Sequence, residues 1–328
     1  MLGATCLLWI DVSKAFDSVQ HDYLIQLMET IKTPRQIQNL IKYSLQAWSI
    51  NLIYKGKNLK NIKIEKGILQ GDSLSPLLFV MCLEPISREA NKEHTPKLKI
   101  QLDNKEMPIN HLLFMDDIKL YSQSEENLRE LSSIFMSNLE KIGLKVNIKK
   151  TATNCQQMAD IATVIKNENT YKYLGVLENN QNLIDPKNKE DILNEIYNRI
   201  EILCKANLNS RNLFTAINEY AISVMNYYTG LISFTLHEFS RADIKIRQIL
   251  SRNKVHFQPS NKERLYLPRN DFGKGLTSIE FKCEKILLGL HNYLAIGTNT
   301  NLRKQIISKI EIQENSLTIR IPGLLRGK

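Results

Sequence analysis

His111-Leu112-Leu113-Phe114-Met115-Asp116-Asp117-Ile118-Lys119-Leu120-Tyr121 carries an apolar run into two adjacent aspartates and an alternating apolar run out of them. Leu112 to Met115 read as a buried strand, and Ile118, Leu120 and Tyr121 as its return. Asp116 and Asp117 then stand at a hairpin tip. Asp tolerates turn geometry, so a carboxylate pair at a tip is ordinary in itself. Both flanks are apolar, however, and no cation stands directly beside the pair. Two carboxylates on stiff strands repel each other, and a divalent cation relieves that repulsion. A solvated turn and a metal-binding pair both fit this stretch taken alone.

Working outward, Thr5 to Val12 is a strand candidate with Asp11 near its C-terminal end. His21 to Ile31 has helical spacing. Thr33-Pro34 opens a second helix, a cap followed by Pro at the first position. Ile50 to Tyr54 and Leu59 to Glu65 alternate around Lys55-Gly56-Lys57-Asn58 as a hairpin. A glycine-punctuated loop, Gly67 to Pro76, leads into an apolar helix that Asp72 or Ser73 could cap. Lys97 to Leu102 and Met107 to Met115 flank Asp103-Asn104 as another hairpin. Glu125 to Ile142 is an amphipathic helix closed by Gly143. Leu144 to Lys150 reads as a short strand, and Tyr171 to Val176 as a strand entering a turn. From Asp185 to about Leu250 the spacing is helical throughout. The pattern is an α+β sheet with helices on one face, followed by a helical part, with a boundary near residue 180. In an antiparallel sheet with a split βαβ core, the strands ending at Asp11 and Asp116 can lie side by side, which makes a cluster of three carboxylates.

Three carboxylates at strand ends suit two Mg²⁺ ions about 3.5–4 Å apart, an arrangement that supports in-line phosphoryl transfer. Asp fits because Mg²⁺ prefers hard oxygen ligands on short arms. By position, the Val12 carbonyl could add a further oxygen.

Composition agrees with a polyanionic partner. The 328 residues are 43% hydrophobic and 24% charged, ordinary for a globular chain. The net charge is +10. Residues 241–328 hold 17 Lys and Arg against 7 Asp and Glu, and the first 240 residues balance at 27 and 27. The excess in the last quarter is interleaved with Phe257, Tyr266, Phe272 and Phe281, as on a surface that follows a phosphate backbone. A solubilising basic tail is the plainer alternative. The five scattered cysteines show no zinc-knuckle spacing and fit a reducing interior. Neither a signal peptide nor an apolar run long enough to span a bilayer is read, so no membrane partner is expected.

Five blocks in order carry a resemblance. They are Asp11 to Asp17, Gln70-Gly71-Asp72-Ser73-Leu74-Ser75-Pro76, Phe114 to Asp117, Gly143 to Thr151, and Tyr173-Leu174-Gly175. Together they resemble motifs A to E of reverse transcriptases. Arg264-Leu265-Tyr266-Leu267-Pro268-Arg269 with Gly273 to Glu280 resembles the segment after the thumb in non-LTR retrotransposons, in the site-specific Dong-like branch.

The resemblance implies a polymerase palm with partial fingers over 1–180, a helical thumb over 181–255 and a basic post-thumb segment over 256–328. It implies an RNA-directed DNA polymerase acting on an RNA template, a DNA primer and dNTPs, with two Mg²⁺ (Mn²⁺ as an alternative), in the nucleus. Asp11, Asp116 and Asp117 with the Val12 carbonyl match the metal ligands. Phe16 matches an aromatic gate against a 2′-OH, and a core Phe is its structural alternative. Gln70 and Gly71 match the loop under the incoming nucleotide, and a pre-helix turn would also explain them. Lys150 matches a general acid, with Lys149 competing for the role. Tyr173, Leu174 and Gly175 match the primer grip. The family's upstream fingers motifs and their basic triphosphate clamp do not precede Asp11, and no zinc knuckle or endonuclease follows. The expectation is a truncated palm and thumb with weakened triphosphate affinity, and the alternative is a catalytically silent remnant that only binds nucleic acid.

Overall fold

The apolar run Cys6–Ile10 is strand β1 of a computed structural model that describes residues 5–102, 105–166, 169–257 and 261–295. After Asp11 come β2 (Val12–Ser13), α1 (Ala15–Ser18), α2 (His21–Thr30), α3 (Arg35–Ala47) and the hairpin β3 (Ser49–Tyr54) and β4 (Lys57–Lys63). Then follow α4 (Ser75–Ala90), β5 (Leu98–Leu102), β6 (Lys105–Ile109), β7 (His111–Phe114), β8 (Asp117–Ser122) and α5 (Glu125–Lys141). The short strands β9 (Lys145–Val146), β10 (Ala152–Thr153), β11 (Thr163–Val164), β12 (Tyr171–Tyr173) and β13 (Val176–Glu178) complete a first unit, Met1–Leu183.

Five strands form one sheet in the order β11-β10-β1-β8-β7. Only β10 and β11 run parallel. Strand alternation separates two faces. On one, Leu8, Ile10, Ile118 and Leu120 pack with Phe79 and Leu83 of α4 and with Leu128, Leu131 and Phe135 of α5. On the other, Leu7 and Trp9 pack with Tyr173 and Ile165. The expected α+β sheet with helices on one face is what forms, and the separate β12–β13 hairpin covers the second face.

Several local expectations are corrected. β7 is an edge strand, so Leu113 and Met115 pack on the core while Leu112 and Phe114 are exposed. The run Met107 to Met115 breaks at Asn110, whose buried amide donates to the Ala90 and Pro96 carbonyls. The expected tip Asp103-Asn104 lies outside the described residues. Pro34 sits at the N-cap of α3 rather than inside it, and no side chain caps that helix. Asp72 accepts from the Leu74 amide at 2.7 Å, one residue before α4, and does not cap it. Leu144 to Lys150 is strand only at β9. The Asn147 carbonyl takes the Lys150 and Thr151 amides, which folds that end into a turn. Every residue of β3 and β4 is exposed, and the Ile64 amide bonded to the Trp48 carbonyl ties the hairpin back to α3.

The second unit, Ile184–Lys328, is helical where described: α6 (Lys187–Cys204), α7 (Ser210–Ala216), α8 (Met225–Tyr228), α9 (Leu236–Arg252), α10 (Glu263–Tyr266) and α11 (Ile279–Ala295). Ile192, Ile196 and Ile200 line one face of α6, the i, i+4, i+8 stripe of an amphipathic helix. They share a core with Phe239, Ile246 and Ile249 of α9, and also with Leu265, Leu276, Ile279 and Cys283. Ile244 points outward instead. A capping box, Thr235 with Glu238, starts α9. The α11 start is capped from a distance. The buried carboxylate of Asp243, on α9, accepts from Ser278 Oγ at 2.6 Å, from the Ile279 amide at 2.8 Å and from the Glu280 amide at 3.2 Å.

Gly67 ties the segment after Asp11 to the loop before α4. Its amide donates to the Val19 carbonyl at 2.7 Å, and the next amide, Ile68, donates to the Phe16 carbonyl at 2.8 Å. Its φ is +88°, and a Cβ would stand 2.9 Å from the Asp17 Cα. Gly67→Ala should therefore lower unfolding stability by more than about 1 kcal/mol, from the left-handed backbone and the contact together, as urea titration will show. An unchanged midpoint would mean the loop can shift freely.

Candidate active site

The antiparallel register of β1 with β8 sets Ile10 opposite Ile118. Asp11, the next residue after β1, thereby stands at the same sheet end as Asp117, the first residue of β8. Asp116 is in the two-residue turn Met115-Asp116 between β7 and β8, so the hairpin tip read from sequence is present. Met115 holds a φ of 54° there. A left-handed conformation is disfavoured for an unbranched apolar side chain by about 1–2 kcal/mol, and such strain concentrates at functional turns.

All three carboxylates are half-buried. Burial, reinforced by the charges of Asp116 and Asp11, raises the Asp117 carboxyl above its ordinary range. Asp117 and Asp11 also face the tyrosines of β12. Burial pushes Tyr171 up to about 12, with Asp11 and Asp117 adding to it. Burial and then Asp117 raise Tyr173 further still. Among the described residues, no three carboxylate, imidazole or thiolate side chains are gathered into a ready-made metal-binding group. Asp117 feels the charges of Asp116 and Asp11 at this sheet end, without a closed cage around a metal.

Asp11 and Asp116 border a cleft of about 640 Å³, whose other walls include Val12, Ser13, Asn147 and four lysines, Lys14, Lys66, Lys145 and Lys150. The cleft therefore combines acidic and basic side chains. The turn after β9 delivers Lys150 to it, with the Asn147 amide bonded to the Asp11 carbonyl at 2.8 Å. Thr151 Oγ1 accepts from the Asp11 amide at 3.3 Å. Lys149, beside Lys150, does not line the cleft.

The other candidate residues lie outside that cleft. Phe16 is half-buried and stacks on Phe79 with ring centroids 4.8 Å apart. Gln70 is exposed and its amide reaches Asp17 Oδ1 at 3.5 Å. Gly71 has a φ of +91° with open space around it. Tyr173 is buried, and Leu174-Gly175 form the tight β12–β13 turn, with φ values of 46° and 80°. Three cleft lysines escaped the sequence reading. Lys145 is brought in by the pairing of Ser13 with Lys145, and Lys66 by the bridge between Gln20 and Lys66. Neither pairing has a local signal. Lys14 lies in the left-handed cap position of α1, and a positive φ is not legible for Lys.

The profile of the family described as reverse transcriptase (RNA-dependent DNA polymerase) matches residues 1–177. The chain belongs to the reverse transcriptase family. Its curated relatives include the Pol polyprotein of the type-1 retrotransposable element R2 of Popillia japonica, 23% identical over 95% of this chain and 52% of the polyprotein. The corresponding R2 polyprotein of Nasonia vitripennis is 28% identical over 44% of this chain and 14% of its own length. This reverse transcriptase chain thus spans about half the length, or less, of these relatives, and the non-LTR resemblance agrees with their R2 names. Among solved structures, apo telomerase from Candida tropicalis aligns with a TM-score of 0.43 at 13% identity, over 93% of this chain and 52% of that one. No helix of the described residues is long and apolar enough to cross a membrane.

The strand leading into the reverse transcriptase carboxylates is itself held by a buried polar group. The His111 ring bonds Ser87 Oγ at 2.8 Å and Asn110 Oδ1 at 2.7 Å, and burial lowers its pKa to about 4. The folded pKa lies below the unfolded one, so this histidine favours the fold above pH 6.5, and that contribution is lost as pH falls toward 4. The loss should approach about 3 kcal/mol. Urea titrations at pH 7 and pH 4.5 will show a smaller difference for His111→Gln than for the wild type. Equal differences would place the acid sensitivity elsewhere.

Proposed function

We propose that this chain carries the polymerase centre of an R2-like non-LTR retrotransposon and adds dNTPs to a DNA primer on an RNA template. The observation that carries the reading is a cleft lined by two carboxylates, Asp11 and Asp116, together with four lysines, Lys14, Lys66, Lys145 and Lys150. A nucleoside triphosphate needs this combination. Its phosphates need cations, and its reacting phosphorus needs the charge-stabilising end.

The donor chemistry fits divalent cations. Three carboxylates of like charge share one sheet end; burial raises Asp117 and the charges of Asp116 and Asp11 add to it, and a cation offsets both effects. Asp11, Asp116, Asp117 and the Val12 carbonyl would hold two Mg²⁺, with Mn²⁺ as an alternative. When bound, such ions lower the pKa of an attacking hydroxyl and neutralise charge on the transferring phosphoryl group.

The chain's own groups do the rest. Lys14, Lys66 and Lys145 draw the triphosphate into the cleft and offset its charge. Lys150, exposed and lining the same cleft, would give a proton to the leaving pyrophosphate oxygen. The Phe16 ring, braced by Phe79, limits the sugar edge of the nucleotide. Gln70 and Gly71 stand beneath the nucleotide, and the Tyr173-Leu174-Gly175 turn holds the primer end. The Lys and Arg excess of residues 241–328, part of which lies outside the described residues, would follow the nucleic-acid backbone. Nuclear residence would follow from the retrotransposon resemblance.

Primer extension with an RNA template, a DNA primer, dNTPs and Mg²⁺ tests the assignment. Asp116→Asn should lose extension while keeping the wild-type circular dichroism spectrum. Retained extension by Asp116→Asn removes the basis of the reading. A wild type that binds primer–template without extending it leaves only the silent nucleic-acid-binding alternative. Phe16→Val should admit rNTPs, and unchanged sugar selectivity would end the gate assignment. Binding of primer–template should also weaken steeply with salt, as counterion release requires. Independently of activity, millimolar Mg²⁺ or Mn²⁺ should raise the melting midpoint of the wild type and leave that of the double variant Asp11→Asn/Asp116→Asn unmoved.

A further inference from the structure

The second face of the sheet buries a charge that the cleft does not use. Lys119 lies on β8 and is 2% exposed. Its ammonium donates to Glu178 Oε2 and to Asn182 Oδ1, both at 2.5 Å. The indole N–H of Trp9 donates to the same Glu178 oxygen at 3.0 Å. Around the ammonium stand three rings, with centroids 4.8 Å away for Tyr173, 5.1 Å for Trp9 and 5.5 Å for Tyr121. One cation thus joins β1, β8, β12, β13 and the turn after β13.

The position matters as much as the bonds. Trp9 and Lys119 are ladder partners. Asp11 lies two residues beyond Trp9, and Asp117 two residues before Lys119. Strand alternation turns all four toward the same face. The network therefore sits one step behind the carboxylates on both strands that carry them. Its far side grips β12 and β13, whose connecting turn is Leu174-Gly175.

Bulk alone does not explain a lysine here. An apolar side chain of similar volume would fill this space without the desolvation penalty of a buried charge, and buried ion pairs often stabilise no better than apolar replacements. What the ammonium adds is direction: it donates to the Glu178 and Asn182 oxygens and so fixes both within hydrogen-bond reach. Tyr173 and Trp9 stand against the ammonium, and Trp9 also lies 5.4 Å from the Tyr171 ring of β12 while its indole N–H bonds Glu178 of β13, so this one ring reaches both hairpin strands.

We propose that Lys119 is a positioning residue that clamps the β12–β13 hairpin onto the strands of Asp11 and Asp117. Through that clamp it sets where the Tyr173-Leu174-Gly175 turn holds a primer terminus relative to the carboxylates. The clamp stands on the geometry alone, and its consequence for the primer rests on the polymerase reading.

Amide hydrogen exchange on the whole chain tests the clamp. In Lys119→Met, the amides of β12 and β13 should exchange at least about tenfold faster, while α4 and α5 keep wild-type protection. Primer extension tests the consequence. The KM for primer–template should rise at least about fivefold with kcat changed less than about twofold, the pattern of a displaced binding element. Glu178→Gln should shift both readouts in the same direction. The double variant Lys119→Met/Glu178→Gln should be no worse than the worse single change, since both act on one interaction. If Lys119→Met fails to fold, Glu178→Gln and Asn182→Ala, which leave the five-stranded sheet untouched, carry the same measurements. Wild-type exchange of the hairpin in the folded variants overturns the clamp. A loosened hairpin with an unchanged KM for primer–template overturns its role toward the primer. A wild type that extends no primer refutes the polymerase reading, and exchange alone then decides the clamp.

Discussion

The first unit depends on one antiparallel register. Ile10 lies opposite Ile118, and that pairing alone brings Asp11 and Asp117 to one end of the sheet from positions over a hundred residues apart. Like charges at that end push the strands apart, so the ladder must be held from elsewhere. Leu8, Ile10, Ile118 and Leu120 are buried beneath α4 and α5, and burial of such side chains contributes about 1.5–3 kcal/mol each. A slip by one residue would turn these four toward the opposite face and lose that contribution, so the hydrophobic pattern fixes the register. The helices therefore hold the carboxylates in place without touching them.

The two faces of the sheet solve different problems. The helical face is apolar and tolerant, because dispersion and burial are non-directional. The opposite face carries directional bonds, through Trp9, Lys119 and Glu178, and a small hairpin rather than a helix layer. A site that must align a second element within a fraction of an ångström gains more from bonds with fixed angles than from grease. The strained Met115 turn belongs to the same economy, since the surrounding ladder holds a conformation that a free hairpin would not choose.

Much of this was legible in the sequence. The apolar runs around Asp116 and Asp117 gave the hairpin, and the spacing of Leu128, Leu131 and Phe135 gave α5. Ordered motifs identified the family that the profile match bears out. What failed to show was non-local. Two-residue strands such as β10 and β11 have no periodicity to read, being defined by partners. Lys145 and Lys66 look like surface lysines until Ser13 and Gln20 are paired beside them. Lys119 reads as the polar member of an alternating strand, and only the hairpin covering it reveals it as buried. Phe114 shows the reverse error: an apolar residue beside the Met115-Asp116 turn is exposed because its strand is an edge.

The distant cap on α11 has a bearing on how the second unit comes into being. Asp243 belongs to α9, yet its carboxylate receives the first amides of α11. Until α11 arrives, that carboxylate has no reason to leave water, and until α9 is in place, α11 lacks its first-turn acceptor. The two helices are thus coupled through one side chain, and a change that displaced the start of α11 would leave the buried Asp243 carboxylate without the three donors that offset its burial.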